Sequence, residues 1–178
     1  MEWKGIIKIG VIAATLVVLA AQGALAGEAA GRIDPQAAFE QLKGLAGEWS
    51  GTAAEGFPTP VTYKVSANGN VVMETLFPGT QHEMITMYYL AGGDLVATHY
   101  CAVGNQPHFK LDRDKSTPNE LIFAFAGGTN FDPSQDGHIH EGKIGFAGEG
   151  RLANSWTFYA GGKQMEKKDF NLARAGKE

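Results

Sequence analysis

One short stretch of the sequence combines residue types that could carry chemistry. The strand-like run Thr98–Cys101 leads into a loop that contains Asn105 and Gln106. Because side chains alternate along a strand, His99 and Cys101 face the same side. An imidazole, a thiol and two amides supply more hydrogen-bonding groups than a turn requires. The pattern predicts one wall of a ligand site, although a core histidine beside an ordinary hairpin would leave the same signature.

Two more residues are predicted to belong to that site. Glu74 lies between Val72 and Leu76 on one face of a strand-like run, so an apolar face would carry a carboxyl group. Trp156 adds a large aromatic surface in a later run. Mixed faces of this kind are typical of a barrel that leaves an internal cavity with a few polar groups.

His138 and His140 have a spacing that could hold a metal ion. In a strand, residues two apart present both imidazoles on one face, where they could be adjacent ligands of a metal ion. The neighbouring Asp136-Gly137 and Glu141-Gly142 pairs fit a polar turn with exposed histidines equally well. A zinc site usually needs three or four protein ligands, and the sequence identifies no third. The pair is retained as a metal hypothesis.

No catalytic residues are predicted. The sequence contains no nucleophile elbow, no phosphate-binding loop, no dinucleotide-binding glycine motif and no CxxC pair. Serines occur without a neighbouring base or acid, although catalytic triads can also form from distant residues.

The element that precedes the candidate residues is predicted to be a short helix. Asp34 is a suitable N-cap, Pro35 suits the first helical position, and Phe39 and Leu42 have helical spacing. Gly44 is expected to end the helix.

After this helix the apolar residues alternate with a period of two, in short runs separated by Gly, Pro, Asn and Asp. The predicted strands are Trp49–Ala53, Val61–Ser66, Val71–Phe77, Glu83–Leu90, Leu95–Val103, His108–Asp112, Leu121–Ala126, Ile139–Phe146, Ala153–Tyr159 and Lys163–Leu172.

These runs predict an all-β fold. Tight turns between strands indicate an antiparallel up-and-down meander, and closure removes the two exposed edges that so long a meander would otherwise have. The expected fold is therefore a closed antiparallel barrel of about ten strands with a short N-terminal helix, spanning residues 34–178.

The start of the first strand resembles a known class of barrel. The run Gly47-Glu48-Trp49-Ser50-Gly51 follows a short helix, and this G-x-W-x-G pattern is similar to the opening of calycin barrels. It is closest to nitrobindin-type and exported bacterial lipocalin-like proteins. The resemblance implies that Trp49 packs across the closed base of the barrel. Independently, Gly47 and Gly51 permit a close backbone approach, and Trp49 is a large apolar plug.

The nitrobindin resemblance also implies haem, bound through a histidine on the last strand. Here the last strand ends Lys167-Lys168-Asp169-Phe170-Asn171-Leu172-Ala173-Arg174, without a histidine. Haem would therefore need another axial ligand. Cofactors stay open, with haem or a divalent metal as possibilities that the sequence does not favour.

The N-terminus resembles an export signal. Lys4 and Lys8 precede the apolar run 9–21, and Ala24-Leu25-Ala26 matches a signal peptidase site. We expect residues 1–26 to be removed and 27–33 to be a flexible N-terminus of a periplasmic or secreted protein. The apolar run is short for a permanent membrane anchor.

Net charge and cysteine content limit the classes of partner and the means of stabilising the fold. A net charge of −4 without basic runs argues against nucleic acid and anionic membranes. A single cysteine, Cys101, allows no internal disulfide, so packing must stabilise the fold.

The expected function is non-catalytic binding of a small, mainly apolar molecule inside the barrel. The alternatives are a metal- or haem-dependent enzyme using His82, His99, His138 or His140, and a structural module of the cell envelope. The oligomeric state is left open.

Overall fold

The protein was analysed as a computed structural model that describes residues 32–53 and 56–176. The predicted signal 1–26 lies outside these residues. One compact unit spans Gly31–Glu178. Its elements are α1 (Pro35–Lys43), β1 (Gly47–Ala53), β2 (Val61–Ser66), β3 (Val71–Leu76), β4 (Met84–Ala91), β5 (Asp94–Tyr100), β6 (Gln106–Leu111), β7 (Glu120–Thr129), β8 (His138–Phe146), β9 (Arg151–Ala160) and β10 (Lys163–Arg174). No described helix has the length and apolar character to span a membrane.

The ten strands form a closed antiparallel barrel, which confirms the predicted fold class. Each strand pairs with its neighbours in sequence, and β1 also pairs with β10. The closing register places Trp49 opposite Arg174 and Ala53 opposite Phe170. Closure leaves neither end of the meander as an unpaired edge, which removes the usual site of edge-to-edge association.

The helix α1 forms where its capping signals predicted. The Asp34 side chain accepts a hydrogen bond from the Ala37 backbone N–H at 2.8 Å, and Pro35 occupies the first turn. Ala38, Phe39 and Leu42 are buried on one face. This apolar face packs against the barrel.

The barrel has two different ends. The helix end carries the turns after β2, β4, β6 and β8, and α1 is bonded to it. Arg113 Nε donates to the Ile33 carbonyl at 3.1 Å, and Gln41 Nε2 donates to the Pro118 carbonyl at 3.1 Å. The loop end carries the connections after β1, β3, β5, β7 and β9. Ile33, the last residue of the predicted flexible segment 27–33, is buried at the helix end.

Trp49, near the start of β1, packs at the helix end of the barrel. Its indole is 3% exposed, and Nε1 donates to the Leu45 carbonyl at 2.8 Å. The Arg174 guanidinium lies 4.5 Å from the indole centroid. Gly51 is needed for closure, because a Cβ there would lie 1.9 Å from the Asn171 carbonyl oxygen on β10. Gly47 has a φ of +132°, a backbone conformation that favours glycine.

Some strand boundaries differ from the sequence expectation. The predicted run Leu95–Val103 is too long, because Cys101 begins a turn in which its N–H donates to the Asn105 carbonyl at 3.0 Å. The strand β6 begins earlier than predicted, since Gln106 pairs with Thr129 beyond a register shift between Pro107 and Phe109. Alternation cannot reveal such an irregularity.

Candidate functional site in the barrel interior

Glu74 is the centre of a buried polar network in the barrel. Its side chain has 0% exposure. The Tyr63 hydroxyl donates to Oε1 and the Tyr88 hydroxyl donates to Oε2, each at 2.7 Å. Thr86 is a third hydrogen-bonding neighbour of the carboxyl group. We call the set formed by Tyr63, Glu74, Thr86, Tyr88, His99 and Asn154 the Glu74 cluster.

Strand register brings most of the cluster together. Tyr63 on β2 is paired with Glu74 on β3, which is paired with Thr86 on β4. Thr86 is in turn paired with His99 on β5. Paired residues of antiparallel strands have side chains on the same face. Four neighbouring strands therefore present a continuous polar row to the interior.

Burial dominates the electrostatics of the cluster. It raises the pKa of the Glu74 carboxyl group, and the hydrogen bonds from Tyr63, Tyr88 and Thr86 oppose that rise. Burial, followed by the charge of Glu74, raises the pKa of Tyr63 and Tyr88 well above the ordinary tyrosine range. Both hydroxyls therefore keep their protons and remain donors to Glu74 at neutral pH.

His99 is neutral and has one nitrogen without a partner. The side chain is 1% exposed, and burial lowers its pKa to about 4. Nδ1 lies 2.9 Å from the Thr86 hydroxyl oxygen, whereas Nε2 has no hydrogen-bond partner. In the tautomer with the proton on Nδ1, that N–H donates to the Thr86 hydroxyl oxygen, and the Thr86 proton can point to Glu74. His99 Nε2 then carries a free lone pair.

Asn154 on β9 provides a free acceptor, and β9 is not a neighbour of β2. Its Nδ2 donates to the Tyr63 hydroxyl at 3.1 Å, and its Oδ1 is buried without a partner. Asn154 lies on β9, whereas Tyr63 lies on β2. A chain of donated hydrogen bonds thus runs from Asn154 through Tyr63 to Glu74 and leaves Asn154 Oδ1 as an acceptor at its outer end.

Side chains from strands that are not neighbours meet in the interior of the barrel. The ring centroids of Tyr88 and Phe123 lie 5.1 Å apart, and those of His99 and Trp156 lie 5.3 Å apart. Phe109 packs on Trp156 at 6.0 Å. Side chains therefore occupy the interior around Tyr88, His99 and Trp156.

Cys101 lies at the loop end beside a residue that the sequence analysis did not select. Its Sγ is 3.9 Å from the Sδ of Met84, which packs against the hydrophobic core. Cys101 itself is half-buried. The sequence-predicted residues Glu74, His99, Cys101 and Trp156 thus occupy neighbouring interior positions, and their role in ligand binding stays a prediction.

Asn105 and Gln106 connect the loops of the loop end. Asn105 Nδ2 donates to the Gly137 carbonyl at 2.7 Å, and its Oδ1 is unpartnered. Gln106 Oε1 accepts from the Thr129 hydroxyl at 2.9 Å and from Asn130 Nδ2 at 2.8 Å. Both side chains hold the connection between β7 and β8 against the turn after β5. Their predicted role in ligand binding is not tested by these contacts.

His138 and His140 bond to each other. His138 Nδ1 lies 3.0 Å from the Asp136 carbonyl, which can only accept, so this nitrogen carries a proton. His138 Nε2 lies 3.0 Å from His140 Nδ1. The His140 ring is stacked between Phe125 and Tyr159 at centroid distances of 4.6 and 4.1 Å. Partial burial and His138 lower the pKa of His140.

The hydrogen bond between the two imidazoles joins His138 Nε2 and His140 Nδ1, so His140 Nε2 takes no part in it. Residues 32–53 and 56–176 contain no group of three or more His, Cys, Asp or Glu side chains that could hold a metal ion. The metal role of His138 and His140 stays a prediction.

The sequence analysis missed Tyr63, Thr86, Tyr88 and Asn154. A signal for two of them exists in the hairpins. Tyr63 and Glu74 are equally distant from the turn between Ser66 and Val71, and Thr86 and His99 are equally distant from the turn after β4. Asn154 has no such signal, because it reaches Tyr63 across the barrel.

Comparisons of the chain with protein family models, curated proteins and solved structures found no match in any of the three. The chemistry of the barrel interior therefore carries the functional conclusion.

Proposed function

We propose that the protein is an exported, calycin-like carrier that binds a small, mainly apolar ligand in the barrel interior without catalysis. The ligand lies between the Glu74 cluster and the loop end. The observation that carries this proposal is the pair of buried polar atoms without partners, His99 Nε2 and Asn154 Oδ1. The barrel and the G-x-W opening of β1 support the calycin likeness, and the signal-like N-terminus supports export.

Unpartnered buried acceptors favour a bound group because they are costly. Each buried polar atom left without a hydrogen bond destabilises a fold by about 1–3 kcal/mol. Native proteins satisfy most such atoms. The two atoms belong to one network around Glu74, and a ligand hydroxyl group could complete it by donating to Asn154 Oδ1 and by pairing with His99 Nε2 in either tautomer.

Apolar side chains supply the remaining surface. Leu76, Phe109, Trp156 and Phe170 are buried in the core close to the polar row. A site with a few polar groups among aromatic and aliphatic side chains is typical of small-molecule pockets. This composition favours a ligand with one polar donor group and an apolar body over a highly charged one.

The first experiment is native mass spectrometry of protein purified from its own host without unfolding. The proposal predicts an added mass that organic extraction removes, and the extracted molecule should bind again to the emptied protein. Absence of any added mass, together with no binding from a panel of long-chain alcohols, amides and fatty acids, would reject the proposal.

A matched pair of asparagine variants locates the site. Asn154→Ala should weaken binding of the extracted molecule about tenfold, the equivalent of one lost hydrogen bond of about 1.4 kcal/mol. Asn171→Ala, at an exposed position on β10, should leave binding unchanged. Equal affinities for the two variants would place the ligand elsewhere.

A further inference from the structure

A pair of sulfur atoms lies directly beside the Glu74 cluster. Ile85 on β4 is paired with Tyr100 on β5, so the next pair outward is Met84 and Cys101. Their Sδ and Sγ atoms are 3.9 Å apart. Met84 shares its face of β4 with Thr86, the residue bonded to His99. The sulfur pair therefore borders the same interior face as His99.

The geometry of the pair suits one shared metal ion. Two metal–sulfur bonds of about 2.3 Å, the length found for zinc thiolates, span this separation at an angle of about 115–120°. That angle is close to trigonal and leaves one further position for a third donor. The distance between the two sulfur atoms therefore matches that of two ligands of one ion.

His99 is the candidate for the third donor. Its Nδ1 is occupied by Thr86, its Nε2 is unpartnered, and the side chain is 1% exposed. A metal-binding histidine usually donates its other ring N–H to a neighbouring oxygen, which fixes the ring and its tautomer. Thr86 provides that oxygen here.

We infer that Met84, Cys101 and His99 form a binding site for monovalent copper, Cu(I). Thiolate, thioether and imidazole are the soft and borderline donors that Cu(I) prefers. On binding, the Cys101 thiol loses its proton to solvent and forms a sulfur–copper bond. Met84 and His99 contribute lone pairs, and the oxidation state of copper does not change.

Charge also favours a monovalent ion. One thiolate neutralises one Cu(I), so the site adds no net charge to an apolar interior. A divalent ion would keep one positive charge, and both oxygens of the buried Glu74 carboxylate already accept hydrogen bonds from tyrosines. Zn²⁺ would also lack the three or four protein ligands typical of its sites, because Met is not among its usual donors.

This inference does not rest on the proposed ligand. Copper would use His99 Nε2 and leave Asn154 Oδ1 as an acceptor for an organic molecule. The Asn154→Ala variant should therefore retain copper, so the two hypotheses can fail separately.

The test is an anaerobic titration of the purified protein with Cu(I) against a coloured Cu(I) chelator. We expect one tightly held copper per protein. Cys101→Ser should weaken binding at least about a hundredfold, and Met84→Leu and His99→Gln about tenfold each. The controls are Met87→Leu on the same strand and His108→Gln on the neighbouring strand, both of which should bind as the wild type does.

X-ray absorption spectroscopy of the copper-loaded wild type adds a readout that does not depend on the variants. Two sulfur neighbours and one nitrogen neighbour are expected around copper. Thermal unfolding checks that each variant is folded, and the spectrum decides the matter if His99→Gln does not fold. A wild type that loses all copper to the chelator overturns the inference. So does a Met84→Leu variant that binds as tightly as the wild type, because a lone thiol would then be the ligand.

Discussion

The helix end of the barrel has fewer unpartnered buried polar side-chain atoms than the middle and the loop end together. At the helix end, Trp49 Nε1 bonds to Leu45, and Arg174 donates to the carbonyls of Gly44 and Ala46 at 2.8 Å each. In the middle and toward the loop end, the buried atoms His99 Nε2, Asn154 Oδ1 and Asn105 Oδ1 lack partners. Gln41 Oε1 is the unpartnered atom of the helix end.

Exposed apolar side chains show the same asymmetry. The large exposed hydrophobic residues among those described all lie toward the loop end: Phe57, Tyr100, Val103 and Met165. The helix end is built from buried aliphatic and aromatic groups around α1. The helix end of the barrel therefore stabilises the fold, whereas the loop end carries exposed apolar side chains that stability alone does not explain.

The largest effect that would test this contrast is the removal of Trp49. Trp49→Ala should lower the free energy of unfolding by about 3–5 kcal/mol, because it leaves a cavity in the core and removes the contact with Arg174. Phe57→Ala at the loop end should change it by less than about 0.5 kcal/mol, since this side chain is 67% exposed. Urea unfolding measures both. Similar losses would show that the two ends share the stabilising role.

The second test is the pH dependence contributed by His99. Its folded pKa of about 4 lies below the ordinary value of 6.5, so the unfolded chain binds more protons between these values. The contribution of neutral His99 to the free energy of unfolding is fully present above pH 6.5. It falls by roughly 3 kcal/mol as the pH is lowered toward 4. Glu74 acts in the opposite direction, because its raised pKa favours the folded state as the pH falls.

A variant separates the two groups. His99→Gln removes the titration but keeps a side chain that can hydrogen-bond to Thr86. The difference in unfolding free energy between wild type and variant should shrink as the pH is lowered from 7 to 4. Parallel curves over this range would mean that His99 is not buried as a neutral group.

The third and smallest effect concerns closure of the barrel. Gly51→Ala would place a methyl group on the Asn171 carbonyl, so β1 and β10 would have to separate locally. We expect a loss of about 1–3 kcal/mol. Gly176→Ala is the control, because a Cβ there has no neighbour within 4 Å. Hydrogen exchange of the β1 and β10 amides should increase only in the first variant.

The sequence predicted the barrel better than its interior. The cap at Asp34, the period-two runs and the short turns each specify local structure, so helix, strand order and closure could be predicted. Glu74, His99 and Trp156 were selected because each is a polar or bulky side chain on a strand face. The Tyr63–Asn154 contact could not be predicted, since it depends on the diameter of the closed barrel. The turn at Cys101 and the register shift in β6 could not be predicted either, because the alternation of apolar residues continues through both.

The most direct measurement is a high-resolution crystal structure of the protein purified from its own host. We expect a bound group with a polar atom within about 3.2 Å of His99 Nε2 or Asn154 Oδ1, extending toward the loop end. Apolar side chains packed against both atoms, with no bound group between the Glu74 cluster and the loop end, would contradict it.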